Sequence, residues 1–400
     1  MAGAALAQSA GGGDWEIPQG DLRTPIGLDA LAARFPTSAA VQRRQLAAAV
    51  AVEDAQRIRA GLARLIALGY APTAETLATL ARFVPPEEMA AHRLRLDANR
   101  AVVRASGLFA TVPEGGRLIE GVAWDPSRRR IFASSVVGRE LIYGDGESWR
   151  AVPGLRPGSL FGLGVDSTRR LLWMASGVVD QTPSPESAFR GLIAVDLDRL
   201  TVVHRIAILG EGSPADIAVA SEGTVYAADP QRGTIWRLGV GDTEPTVIVP
   251  PGRLRSPQGL VPSRDRRRLY VSDYGYGLAL VDLNTGAVSR LESDATTMLD
   301  GIDGLVPWRD GFIAVQNGVS PRRILYIALS GDGRRIASVT VLESGHPEWG
   351  EPTLGVVRDN QFLYVADAQW ERYGAAGAPA DSGPPRPTAI RALALAGRGL

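Results

Sequence analysis

The chain has 400 residues with 43 basic and 43 acidic side chains, so its formal charge is zero and nothing in it suggests an electrostatic hold on nucleic acid or an anionic membrane. It contains no Cys, which removes disulfides, thiolate nucleophiles and Cys-based zinc sites together. No apolar run approaches the ~20 residues that span a bilayer, so no membrane span is expected.

Residues 1–37 read as a leader, largely disordered. Its opening, Met1-Ala2-Gly3-Ala4-Ala5-Leu6-Ala7, resembles the end of a secretory signal, with small residues at the cleavage-type positions Ala5 and Ala7. It lacks a basic n-region and a full apolar h-region. Two readings stay open: a signal remnant on a periplasmic or secreted protein, or a plain leader on a cytoplasmic one.

Residues 38–105 follow a different grammar, rich in Ala, Leu and Arg. Leu46, Val50, Ile58, Leu62, Leu65 and Leu68 form one stripe at helical steps. Gly69 ends that helix, Thr73 caps the next, and Pro85-Pro86-Glu87-Glu88 opens a third with acids in its first turn. The spacing predicts a small module of two or three helices. Its stripes serve packing, or else a lid over a tunnel or a dimer contact.

From residue 106 to 400 one sentence repeats six times: a small or acidic residue with Gly, an apolar strand, a polar turn, a second apolar strand. The copies begin at Glu120-Gly121, Phe161-Gly162, Ala215-Asp216, Gln258-Gly259, Asp303-Gly304 and Leu354-Gly355. Their spacing is roughly 40 to 54 residues, the range of propeller repeats, and each copy holds about four short strands. A twisted four-stranded blade has two apolar faces and covers neither alone, so blades pack on one another and close into a ring. The expected fold is therefore mainly β, a six-bladed β-propeller preceded by the helical module. The last blade lacks a strand after Thr388-Ala389-Ile390-Arg391-Ala392-Leu393, and Leu108-Phe109-Ala110-Thr111-Val112 is free to supply it, joining the two ends of the domain.

In such a ring the turns before the innermost strands converge on the axis, which gathers Glu120, Phe161, Asp216, Gln258, Asp303 and Thr353. Three carboxylates and an amide among six positions are hard oxygen donors of the kind a divalent cation such as calcium takes. The bland alternative is turn chemistry, because Asx and Glu side chains also accept backbone N–H groups there.

Glu120-Gly121-Val122, Ser256-Pro257-Gln258-Gly259-Leu260 and Ile302-Asp303-Gly304-Leu305 resemble the metal-bearing segments of the gluconolactonase/regucalcin-like propellers. The resemblance covers residues 106–396. It implies one divalent metal, calcium foremost, held by Glu120, Gln258 and Asp303, with Asp303 doubling as general base. Gln258 stands where that family has the shorter Asn. Phe161 replaces a substrate-contacting Asn, which argues against a sugar lactone as substrate. Pro214-Ala215-Asp216-Ile217 resembles a Pro-Asn-Asp-Ile segment of related arylesterase-type propellers and adds Asp216 as a second candidate base.

Three further residues are candidates for contact with a small-molecule ligand. His346 lies in the loop leading to blade six and is either a proton shuttle or loop decoration. Gln369 and Trp370 resemble an amide-Gln-Trp trio of bacterial propellers of this group, and Trp370 either stacks on a ligand or packs between blades. No Gly-x-Ser-x-Gly elbow and no phosphate-binding Gly-rich loop before a helix occurs. Two function classes remain: a metal-dependent hydrolase of the lactonase/esterase type, or a non-catalytic ligand- or peptide-binding propeller of the same fold.

Overall fold

The computed structural model describes residues 22–395; the signal-like start, with Ala5 and Ala7, lies outside them. Among the described residues no helix is long and apolar enough to cross a membrane.

Among the described residues five helices precede the first strand: α1 (Pro25–Arg34), α2 (Ala39–Ala51), α3 (Ala55–Ala67), α4 (Ala74–Leu80) and α5 (Pro86–Asn99). The helical part thus begins inside the stretch expected as leader. Thr24 Oγ1 accepts the Gly27 N–H at 3.2 Å, Pro25 sits in the first turn, and Leu28, Leu31, Ala32 and Phe35 bury against blades three and four. The stripe from Leu46 to Leu68 belongs to two helices rather than one. Glu53 takes a left-handed φ of 54° and Asp54 caps α3 through the Arg57 N–H at 3.0 Å. Thr73 caps α4 as expected.

Six sheets follow, antiparallel but for a short parallel pairing of Glu292–Ser293 with Arg335–Ile336 at the outer edge of blade five. One strand of each lies innermost, packed against the inner strands of its neighbours around the axis. Blades one to five open with Ile119–Asp125, Ser159–Asp166, Asp216–Val219, Pro257–Pro262 and Ile302–Trp308. Blade six uses Gly355–Arg358, Gln361–Val365 and Thr388–Ala394, and Ser106–Val112 completes it by pairing antiparallel with Thr388–Ala394. The ring is closed by the strand the sequence offered for it.

A buried polar knot reinforces that closure. Glu343, on the outer strand of blade five and fully buried, accepts from the Ala105 and Ser106 N–H groups at 3.0 Å through Oε1. The Ser106 hydroxyl donates to Oε1 at 2.8 Å, and the Tyr364 hydroxyl to Oε2 at 2.8 Å. Trp349 Nε1 donates in turn to the Tyr364 oxygen at 2.9 Å.

A second device recurs. At the end of a blade's second strand an Asp accepts an N–H from the segment leading into its inner strand: Asp229 from Ser213 (2.8 Å), Asp273 from Arg255 (2.7 Å) and Asp367 from Glu351 (3.0 Å). These acids fix where the chain enters each inner strand. Blades one, two and five depart from the pattern, with Ser135, Gly177 and Gln316 in that place.

Candidate functional site at the tunnel mouth

Four inner strands carry a β-bulge at their mouth: between Ile119 and Gly121, Leu160 and Leu163, Pro257 and Leu260, and Ile302 and Gly304. A bulge leaves a residue out of the ladder and re-aims it. The residues set free are Glu120, Phe161, Gln258 and Asp303, the ones the repeat singles out, while blades three and six open without a bulge. The glycine that follows each is a matter of space. A Cβ on Gly121 would stand 2.8 Å from the Phe161 carbonyl oxygen, and one on Gly259 2.4 Å from the Leu305 nitrogen. On Gly162 it would meet Asp216 Oδ1 at 2.2 Å and the Ile217 nitrogen at 2.8 Å. Gly162→Ala is therefore expected to pry blades two and three apart, costing about 1–3 kcal/mol in thermal unfolding. An unchanged melting point would show that the strands have slack there.

Glu120, Asp216 and Asp303 lie close enough to repel one another, together with Glu351, which the sequence reading did not single out. Glu120 is only 7% exposed, and its Oε2 accepts from the Trp370 indole N–H at 2.9 Å. Asp303 Oδ2 accepts from Asn317 Nδ2 at 2.8 Å; Asn317 also donates to the Pro352 carbonyl at 2.9 Å and accepts from the Tyr274 hydroxyl at 2.8 Å. Asp216 Oδ1 accepts the Ile217 N–H at 2.7 Å. Asn317 and Tyr274, like Glu351, carry no repeat signal.

Burial pushes Glu120 well above the usual carboxylate range, the Asp303 charge adds to this, and the Trp370 bond opposes it. Asp303 is raised to about 7 by burial and by Glu351, against the Asn317 bond. Asp216 is raised to about 8 by burial and by Asp303. Asp216 and Asp303 keep some exposed surface, but they sit on the innermost strands, and their depth in the ring outweighs that access. Burial and the charges of Asp303 and Glu351 likewise raise Tyr274. Neither Glu120 nor Asp303 has a basic partner among the described residues.

The residues present suit a hard cation in kind. Glu120 and Asp303 are each held by one neutral donor on one oxygen, leaving Oε1 and Oδ1 without a hydrogen bond from the described residues. Among the described residues no three Asp, Glu or His side chains form a metal-binding set. A cation here would draw on two carboxylates, with an amide such as Gln258, backbone carbonyls and water for the rest. Gln258 occupies the blade-four bulge, and its amide nitrogen lies 3.5 Å from Ser256 Oγ.

The remaining candidates divide. Trp370 joins the site through Glu120. Phe161 is buried in the apolar cluster that also holds Val122 and packs Ala215 and Trp370, so it supplies wall rather than polar contact. Gln369 is removed from ligand contact: Nε2 donates to the Arg386 carbonyl (2.8 Å) and Thr388 Oγ1 (3.1 Å), and Oε1 accepts the Arg386 N–H (2.8 Å). Both amide donors and one acceptor site go into pinning the loop before the last strand. His346 is buried at the seam of blades five and six. Its Nδ1 accepts the Glu348 N–H at 3.1 Å, its ring packs 5.9 Å from Trp349, and Nε2 faces Glu343 at 4.0 Å. It bonds to no member of the carboxylate group, which disfavours a proton shuttle. Thr353 spends its hydroxyl on the Glu120 carbonyl at 2.8 Å and links blade six to blade one.

No family model and no curated protein matches the chain. Solved structures do. A gluconolactonase from Xanthomonas campestris is 16% identical with a TM-score of 0.47, over 74% of this chain and 99% of that one. Regucalcin, a calcium-binding protein from Agrobacterium tumefaciens, is 18% identical with a TM-score of 0.47, over 73% and 96%. A Bacteroides thetaiotaomicron protein of unknown function is 13% identical with a TM-score of 0.50, over 73% and 72%. At these identities the likenesses bear on the fold alone, and the chain's own strand order makes it a six-bladed β-propeller behind a helical module.

Proposed function

We propose that the tunnel mouth binds a divalent cation, calcium foremost, and that the protein hydrolyses a small lactone or ester there. One observation carries the reading: Glu120 and Asp303, from blades one and five, are brought together at depth without a cation among the described side chains to balance them. Crowded buried carboxylates are costly unless a proton or a metal joins them. A bound cation would supply polarisation of the substrate carbonyl. Trp370 and Asn317 hold the two carboxylates in place, and Phe161 offers an apolar wall. Asp216, raised to about 8, is suited to accept the proton of an attacking water near neutral pH.

The reading has a pH signature. Asp303 and Asp216 titrate above their ordinary 3.8, so the stability they contribute is complete below pH 3.8 and is lost as pH rises through about 7 and 8. Carboxylates held low by partners, such as Asp125 and Asp198 with Arg170, act only in acid and do not mask this window. The cation-free protein is expected to melt higher at pH 5 than at pH 8. Calcium should reverse the order, with affinity rising up to tenfold per pH unit below 7 as it displaces the proton. Melting curves at both pH values, with calcium and with chelator, check this.

The function itself is tested by calorimetric calcium titration and a panel of lactones and esters assayed with and without chelator. Chelator-sensitive turnover supports the hydrolase. Calcium binding with no turnover across the panel favours a ligand-binding propeller, and absence of both removes the reading.

A further inference from the structure

We infer that Asp300 is a positioning residue through which the helical module sets the geometry of Asp303. Blade five lacks the device that fixes the inner strand in blades three, four and six. Gln316, in the place of the accepting Asp, instead donates to the Met298 carbonyl (3.1 Å) and the Asp300 carbonyl (2.7 Å), and Arg323 Nε donates to Gln316 Oε1 at 2.8 Å. The Asp300 side chain is thereby turned to the helices. It is 1% exposed, and its two oxygens accept the first N–H groups of α2, Ala39 at 2.8 Å and Ala40 at 2.7 Å. A carboxylate at that end of a helix is favoured by unpaired N–H groups and by the helix dipole.

The same module grips the other loops of the Asp303 hydrogen-bond chain. The Ser38 hydroxyl donates to the Gly275 carbonyl at 2.8 Å, next to Tyr274. Ala71 N–H donates to the Ser320 carbonyl at 2.8 Å and Ser320 Oγ returns a bond to the Ala71 carbonyl at 2.9 Å, three residues beyond Asn317. The loops are also tied to each other, Gly301 N–H to the Tyr274 carbonyl at 2.7 Å and Gly318 N–H to the Gly301 carbonyl at 3.0 Å. Tyr274, Asn317 and Asp303 are thus aligned by loops whose common anchor is the module. Only Gly301 and Ile302 separate Asp300 from Asp303, too short a span to absorb a shift of the one without moving the other.

Two readouts test this, and only the second rests on the reading of Asp303 as a cation ligand. Hydrogen exchange is measured on full-length wild type, Asp300→Ala and Asp300→Asn. The Gly301 and Gly318 amides are expected to exchange at least tenfold faster in Asp300→Ala, with a smaller rise in Asp300→Asn, which keeps one acceptor; inner-strand amides of blades one and two should not change. Calorimetry is then expected to show the calcium Kd rising at least tenfold in Asp300→Ala. Met174→Ala, which weakens the core between blades one and two, should lower the melting point and leave Kd in place. Fast Ala39 and Ala40 amides with unchanged Gly301 and Gly318 would overturn the inference, as would an equal Kd shift in Met174→Ala. A wild type that takes up no calcium removes the cation reading alone, and the exchange rates still decide the positioning role. Should Asp300→Ala not fold, Asp300→Asn carries both measurements.

Discussion

Glu343→Ala is expected to destabilise the protein by about 3–5 kcal/mol, the range for removing one partner from a buried charged network. Glu343 is fully buried and accepts four hydrogen bonds from Ala105, Ser106 and Tyr364. Alanine takes the acceptor from the Ala105 and Ser106 N–H groups, while the Ser106 and Tyr364 hydroxyls, 2.9 Å apart, can still pair, and an unmet buried donor costs about 1–3 kcal/mol. The loss falls where the strand that closes the ring leaves the helical module. Glu343→Gln keeps an acceptor and nearly the same shape, so it should cost clearly less. Urea titration gives the difference, and a loss below about 1 kcal/mol for alanine would mean that the knot is not what fastens the seam.

Asp303→Asn is expected to weaken calcium binding by more than tenfold, about 1.4 kcal/mol or more, because it removes a full charge from a site with few. The same change should hold or raise the melting point of the cation-free protein at pH 8, since it relieves the repulsion with Glu120 and Glu351. That opposition separates a lost ligand from a damaged fold. Gln258→Asn shortens the blade-four amide by one methylene and should keep or tighten binding. Calorimetric titration of the three proteins decides; equal, negligible heats for all would reduce the converging acids to turn chemistry.

Much of the architecture could be read from residue order because a propeller repeats its burial problem six times. The apolar alternation of each copy, the missing last strand and the spare Leu108–Val112 segment each followed from covering sheet faces and edges. Glu120 and Asp303 were legible for the same reason, sitting at a fixed place in the repeat. Asn317, Tyr274 and Glu351 were not, because they reach the site through hydrogen bonds and proximity between blades, and no local period encodes those. Gln369 and His346 show the converse. Their side-chain chemistry suggested a ligand, yet Arg386 and Thr388 before the last strand had already claimed Gln369, and the Glu348 N–H had claimed His346. Helix α1 was hidden because ten residues of mixed Leu, Ala and Gly give little contrast, and its apolar side chains find their partners only in blades three and four.

The interleaved sixth blade also has a temporal side. During synthesis Ser106–Val112 is made before every strand it will pair with, and its partner Thr388–Ala394 is the last strand of the domain to emerge. Blades one to five can each assemble from contiguous chain as they appear, whereas the sixth must wait until Thr388–Ala394 has been made. Through that interval Leu108 and Phe109 stand on an unpaired edge, open to any other extended strand nearby. A circular permutant opening at blade one would give every blade its own local hairpins, lower the contact order and shorten the wait. It would surrender the long-range clasp that joins the two ends of the ring.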